Sequence, residues 1–138
     1  MINVKGALTI VNPATRKKRI LLVDDEADVT ETFSLALEDS GLYEVHTYNN
    51  PIAALSQFKP NFYDLALLDI RMPRLNGFEL YNEIQRRDTH IKVCFISANS
   101  IGEDALRKQF PSFKIKCFLP KPIAIKVLLE KLEIELLR

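Results

Sequence analysis

The chain lacks any apolar run that could cross a bilayer, which takes about 20 consecutive apolar residues. It also lacks a convincing leader: one lysine and a short apolar patch, Ala7–Val11, precede no small-residue cleavage site. Cysteine is scarce. Cys94 and Cys117 both lie inside apolar runs, where separate buried thiols are expected rather than a disulfide or a metal site. A reducing, cytoplasmic setting fits that reading, with no membrane partner. The two histidines, His46 and His90, stand apart and are expected as surface or core residues rather than as a phosphohistidine relay. There is no internal repeat and no low-complexity segment.

What is present suits one globular domain. Its 138 residues are 47% apolar and 27% charged, enough to build a core. The formal net charge of +1 points to no acidic partner, but it is unevenly spread. Residues 1–19 hold Lys5, Arg16, Lys17, Lys18 and Arg19 with no acid, leaving −4 (+1 less +5) on the remainder. Residues 1–18 are expected to form a flexible extension, with Asn12-Pro13 as a breaker; an extra edge strand over Leu8–Val11 is the minor alternative. The basic run Arg16–Arg19 has no recognition helix beside it, which argues against a nucleic-acid partner.

From Arg19 onward strands and helices alternate. Ile20–Val23 (β1) is continuously apolar, as a strand buried on both faces should be. Val29, Phe33 and Leu37 recur at helical spacing (α1), with Gly41 as the stop. Tyr43–Tyr48 (β2) alternates like a half-exposed edge strand, with Tyr43, Val45 and Thr47 on one face. Asn50-Pro51 starts a short helix (α2) whose inner face is Ala54, Leu55 and Phe58. Leu65–Leu68 (β3) is followed by a helix opened by Asn76-Gly77 and carrying Leu80, Tyr81 and Ile84 (α3). Lys92–Ile96 (β4), Glu103–Phe110 (α4), Lys116–Leu119 (β5) and Ile123–Leu137 (α5) complete the series. Such alternation predicts an α/β fold, a parallel sheet covered on both faces with right-handed crossovers.

Four of the apolar runs end in reactive polar residues. Ile20–Val23 ends in Asp24-Asp25, Leu65–Leu68 in Asp69, Val93–Ile96 in Ser97, and Cys117–Leu119 in Pro120-Lys121. In one parallel sheet these ends meet at a single edge, where open α/β sheets place their sites. Three carboxylates there need an offsetting charge, since like charges about 4 Å apart repel by roughly 1 to 4 kcal/mol per pair. An all-oxygen ligand set suits Mg²⁺ rather than zinc. A hard cation, a lysine and a hydroxyl around one carboxylate make a site for phosphoryl chemistry. The carboxylate itself can then be the nucleophile, forming an aspartyl phosphate.

Together, Val23-Asp24-Asp25-Glu26, Leu68-Asp69-Ile70-Arg71-Met72-Pro73, Ser97-Ala98 and Lys121-Pro122 resemble the signature set of the receiver domain of two-component response regulators. The likeness runs in order from Arg19 to Arg138. It implies a flavodoxin-like, doubly wound (βα)5 sheet of order 2-1-3-4-5. It implies Asp69 as phosphoacceptor, and Mg²⁺ held by Asp24, Asp25 and Asp69 with the backbone carbonyl of Arg71. It further implies Lys121 as the partner of the acceptor and then of the phosphoryl group, Ser97 as a switch hydroxyl, Phe118 at a switch aromatic position, and a cis Lys121-Pro122 peptide. The implied partners are a sensor histidine kinase or a phosphotransfer protein and an unidentified output protein. The chain would serve as a diffusible regulator or a phosphorelay intermediate, an automatic catalyst of its own phosphorylation and dephosphorylation rather than a conventional enzyme.

Plainer readings stand beside these. Asp24 or Asp25 could cap α1, one capping while Asp25 coordinates metal directly. Ser97 could be an ordinary strand-end hydroxyl and Phe118 plain core. A phosphorylation-independent binding module is a second possibility for the whole chain. An aspartate-nucleophile phosphatase of the haloacid dehalogenase type is a third, but it wants a second acid two residues beyond Asp69, where Arg71 stands. Finally, Ile123–Leu137 has more apolar positions than one buried stripe requires. Some should be exposed, marking the α4–β5–α5 face as an output or homodimer surface.

Overall fold

The computed structural model describes residues 16–97, 108 and 116–138. Five parallel strands form one sheet of order β2-β1-β3-β4-β5, the order expected of a flavodoxin-like sheet. The strands are β1 Lys18–Val23, β2 Tyr43–Tyr48, β3 Leu65–Asp69, β4 Lys92–Ser97 and β5 Phe118–Pro120. The helices are α1 Ala27–Asp39, α2 Pro51–Ser56, α3 Gly77–Arg87 and α5 Ile125–Leu136. The expected α4, Glu103–Phe110, and the possible strand Leu8–Val11 lie outside the described residues. Among the described residues no helix is long and apolar enough to cross a membrane.

The apolar runs split by parity across the sheet, as a period of two demands. Leu21, Val23, Ala66, Leu68 and Phe95 face one way and pack with Ala54 of α2 and Phe78, Leu80 and Ile84 of α3. Ile20, Leu22, Leu65, Leu67, Cys94, Ile96 and Leu119 face the other way, against Phe33 and Leu37 of α1 and Leu128 and Leu132 of α5. Each fully buried leucine contributes about 1.5–3 kcal/mol. With helices on both faces, the inner strands gain nothing from alternation, which is why they read as unbroken apolar runs.

Local chemistry sets the helix ends. Gly41, at φ +80, turns the chain out of α1 in the left-handed region glycine favours, and its N–H donates to the Glu38 carbonyl. The Asn50 side chain accepts from the N–H of Ile52 at 2.8 Å, starting α2 with Pro51 in its first turn. Asn76 and Glu79 form a reciprocal capping box that starts α3.

Two expectations change. Cys94 and Cys117 are not separate thiols: they are joined in a disulfide, with Cα atoms 4.6 Å apart. The Phe95↔Phe118 register sets Cys94 of β4 opposite Cys117, the residue just before β5, a relation invisible until β4 and β5 are known to pair. The basic run is not wholly a tail either. Lys18 opens β1, and Arg16 forks onto Asp64 at 3.0 and 3.2 Å while the Arg19 N–H donates to the same carboxylate at 2.7 Å. Burial pushes the Asp64 carboxyl up, but these donors outweigh it and hold it below its ordinary value.

Candidate functional site

All four polar strand ends do meet at one edge of the sheet. Asp24 follows the last residue of β1 and is fully buried; Asp25 beside it is exposed. Asp69 is the last residue of β3 and only 2% exposed. Ser97 closes β4, also buried, one register position beyond Asp69 on the neighbouring strand. Lys121 follows β5, and its N–H donates to the Ser97 carbonyl at 2.7 Å. The Lys121-Pro122 peptide is cis.

The lysine lies closest to Asp24. Lys121 Nζ lies 2.6 Å from Asp24 Oδ2, 3.1 Å from Glu26 Oε1 and 3.8 Å from Asp69 Oδ2. Burial lowers its affinity for a proton, but these surrounding acids win and raise its pKa. Asp24 also accepts from the Glu26 N–H through Oδ1 at 2.8 Å, so one oxygen supports the start of α1 while the other faces the lysine. The capping role weighed for the acid pair falls to neither: Glu26 is the N-cap of α1, no side chain caps its first turn, and Asp24 only closes the turn that leads into it. Burial raises the Asp24 carboxyl, against the lowering effect of Lys121 and of the Glu26 N–H.

Asp69 is the most perturbed acid of the cluster. Burial first, and then the Asp24 charge, push its carboxyl up from 3.8 to about 7, with Lys121 pulling the other way. Asp69 Oδ1 and Ser97 Oγ are buried without a hydrogen-bond partner among the described residues. Asp24, Asp25 and Asp69 each offer a carboxylate oxygen within 4.8 Å of the other two. At that spacing each pair of charges repels by roughly 1 to 3 kcal/mol, and one lysine does not offset three of them. Excess negative charge, all-oxygen donors and an unpartnered oxygen fit a hard divalent cation, and Mg²⁺ suits them.

A family model described as the response regulator receiver domain matches residues 20–133. The chain belongs to this family. Among curated relatives of this receiver domain, the transcriptional regulatory protein CpxR homolog of Haemophilus influenzae is 37% identical over 115 residues, covering 83% of this chain and 48% of the relative. Response regulator receiver protein Anae109_2439 of Anaeromyxobacter sp. is 34% identical over 113 residues, covering 82% and 46%. The chain spans about half the length of these relatives. Among solved structures, the non-phosphorylated HemR receiver domain of Leptospira biflexa matches with a TM-score of 0.74 and 32% identity, over 87% of this chain and 94% of that one. A CheY-like receiver domain protein from Methanospirillum hungatei matches at 0.73 and 26%, over 88% and 94%.

Three supports of the receiver site escaped the reading of the sequence. Asn49 Nδ2, from the end of β2, donates to the Asp24 carbonyl and to Thr30 Oγ1, both at 2.9 Å, tying β2, β1 and α1 together under the acids. Glu26 shares Lys121. Gly77 lets the start of α3 lie against the tip of β3: a Cβ there would come 2.4 Å from the Asp69 carbonyl oxygen, and its N–H donates to the Ile70 carbonyl. Glu26 stood in the Val23–Glu26 motif without a role, Gly77 in Asn76-Gly77 read only as a helix start, and Asn49 had no signal. Arg71 is exposed in the loop after β3. Phe118, at the start of β5, is half-buried against the Leu68 and Phe95 side of the core. His46 sits in a cluster of side chains, its Nε2 2.6 Å from Glu44 and its ring edge-on to Phe62 and Tyr63, while His90 is exposed.

Proposed function

We propose that this receiver domain takes a phosphoryl group onto Asp69 from a phosphohistidine on a sensor histidine kinase or a phosphotransfer protein. The observation that carries the reading is Asp69 itself, a buried carboxylate set among two acids, a lysine and the Ser97 hydroxyl, with one of its oxygens and that hydroxyl unpartnered among the described residues. An Asp69 oxygen attacks phosphorus, the P–N bond of the donor breaks, and its electron pair leaves with the imidazole nitrogen. Asp24, Asp25, Asp69 and the backbone carbonyl of Arg71 would hold Mg²⁺, which when bound supplies positive charge against the phosphoryl oxygens. Lys121, held near Asp69 by Asp24 and Glu26, turns toward the new phosphoryl oxygens. The Ser97 hydroxyl donates to another of them.

The added group brings about −1.5 to −2 charge and three acceptor oxygens to a buried edge. Ser97 and Lys121 follow it, and because they end β4 and follow β5, the movement passes to β5 and the surface of the α5 helix packed over it; the expected α4 lies outside the described residues. Phe118 rides on β5 and fills the space that opens. Val127 and Ile134, one heptad apart on α5, are 41% and 54% exposed and give that surface an apolar patch for an output protein or a second copy. The domain acts in the cytoplasm, as a regulator that binds its target or as a relay intermediate. The test is incubation with Mg²⁺ and acetyl phosphate, read by intact-protein mass. One added phosphoryl group on the wild type and none on Asp69→Asn is the expected result. No adduct, or an equal adduct on both, would overturn the reading.

A further inference from the structure

The disulfide joins the two strands whose ends carry Ser97 and Lys121. Cys94 lies three residues before Ser97, and Cys117 four residues before Lys121. β5 is an edge strand and is weakly held: its register with β4 is three pairs, Phe95↔Phe118, Ile96↔Leu119 and Ser97↔Pro120, against six pairs between the other edge strand, β2, and β1. Pro120 has no N–H and donates nothing to the ladder. Beyond the ladder, the Phe95 N–H donates to the Cys117 carbonyl and the Lys121 N–H to the Ser97 carbonyl, at 2.9 and 2.7 Å. Beside so short a ladder, the covalent bond is a further tie between β5 and β4. Both sulfurs lie under α5, among Leu119, Leu128 and Leu132, with the buried Glu135 carboxylate within 4.8 Å. The end of α5 over them is pinned by Lys92 Nζ, which donates to the carbonyl oxygens of Glu135, at 2.9 Å, and of Arg138.

We propose that Cys94–Cys117 is a reversible redox modification site that sets how freely β5 moves against β4, and so controls the lifetime of the phosphoryl group; this rests on the phosphoacceptor reading of Asp69. Disulfides are rare in reducing compartments and, where they form there, tend to be redox-active. The co-reactant is a protein or small-molecule dithiol. Its thiolate attacks one sulfur, the S–S bond breaks, and the released cysteine thiolate takes a proton. The second thiol of the dithiol then attacks the mixed disulfide and frees the other cysteine. Two electrons and two protons pass to Cys94 and Cys117, and the dithiol becomes a disulfide; an oxidised dithiol partner reverses the sequence. With both sulfurs buried, exchange requires the end of α5 to lift, so the Lys92 staple sets access.

Oxidised protein and protein reduced with dithiothreitol are compared for free thiols by alkylation and mass, for amide hydrogen exchange, and for loss of phosphoryl groups after acetyl phosphate loading. On reduction two thiols appear, and the Phe95 and Lys121 amides exchange about tenfold faster or more, while Leu67 in β3 changes little. The phosphoryl lifetime changes by about fivefold, the low end of couplings between sites. Cys94→Ala/Cys117→Ala matches the reduced protein and ignores dithiothreitol, and Lys92→Met is reduced faster than the wild type. Amide exchange or phosphoryl lifetimes within about twofold in the two states would overturn the proposal, as would two free thiols that oxidised dithiothreitol cannot join. If neither redox state accepts a phosphoryl group, the phosphoacceptor reading fails, and the control of β5 is still decided by the amides.

Discussion

Replacing Asp69 by asparagine should stabilise the fold, and by an amount that depends on pH. Asp69 is 2% exposed, and its carboxyl is pushed from 3.8 to about 7 by burial and by Asp24. Between those values the folded chain keeps a proton that the unfolded chain has released. Stability from this group is therefore full below about pH 4, falls as pH rises, and levels off above about pH 7. About three units correspond to roughly 4 kcal/mol. Asparagine keeps the shape and removes the charge, while Lys121 retains Asp24 at 2.6 Å. Urea unfolding in the presence of a chelator, at about pH 4.5 and about pH 8, measures the difference. Asp69→Asn should gain about 2–4 kcal/mol more at the higher pH than at the lower. Added Mg²⁺ should narrow that gap by stabilising the wild type. A gain equal at both pH values within about 0.5 kcal/mol would refute the assignment of Asp69 as a buried, strained charge.

Lys121→Met removes the cation from three acids; adduct formation with acetyl phosphate should fall by at least about tenfold and stability at neutral pH by about 3–5 kcal/mol, read by mass and by urea unfolding. Gly77→Ala forces a methyl group against the Asp69 carbonyl and should cost about 1–3 kcal/mol while also slowing phosphorylation, because the carbonyl belongs to the acceptor residue. Val127→Asp and Ile134→Asp should leave thermal unfolding within about 0.5 kcal/mol of the wild type, yet abolish association driven by phosphorylation, measured by sedimentation of the loaded protein.

Much of this was legible in the sequence because burial on both faces forces a simple pattern. Leu65–Leu68 is apolar throughout, so the acid that ends it stands out, and the same holds for Asp24, Ser97 and Lys121. Strand ends in a parallel sheet share an edge, so four such endings specify a site before any coordinate is known. The unread features depend on pairs distant in sequence. Cys94 and Cys117 meet only through the β4–β5 register. Arg16, in a run that resembled a tail, is held by Asp64 far along the chain. Asn49 reaches Asp24 only because β2 lies beside β1. Lys121 lies nearer Asp24 than Asp69, a geometry that depends on how the ends of β1, β3 and β5 are set side by side.

The most direct test of the central claim is the mass of the intact chain after incubation with Mg²⁺ and acetyl phosphate, followed by fragmentation to place the adduct. A single phosphoryl group on Asp69, lost when Mg²⁺ is chelated beforehand and absent from Asp69→Asn, is the predicted result. An unmodified wild type, or an adduct that persists in Asp69→Asn, would contradict it.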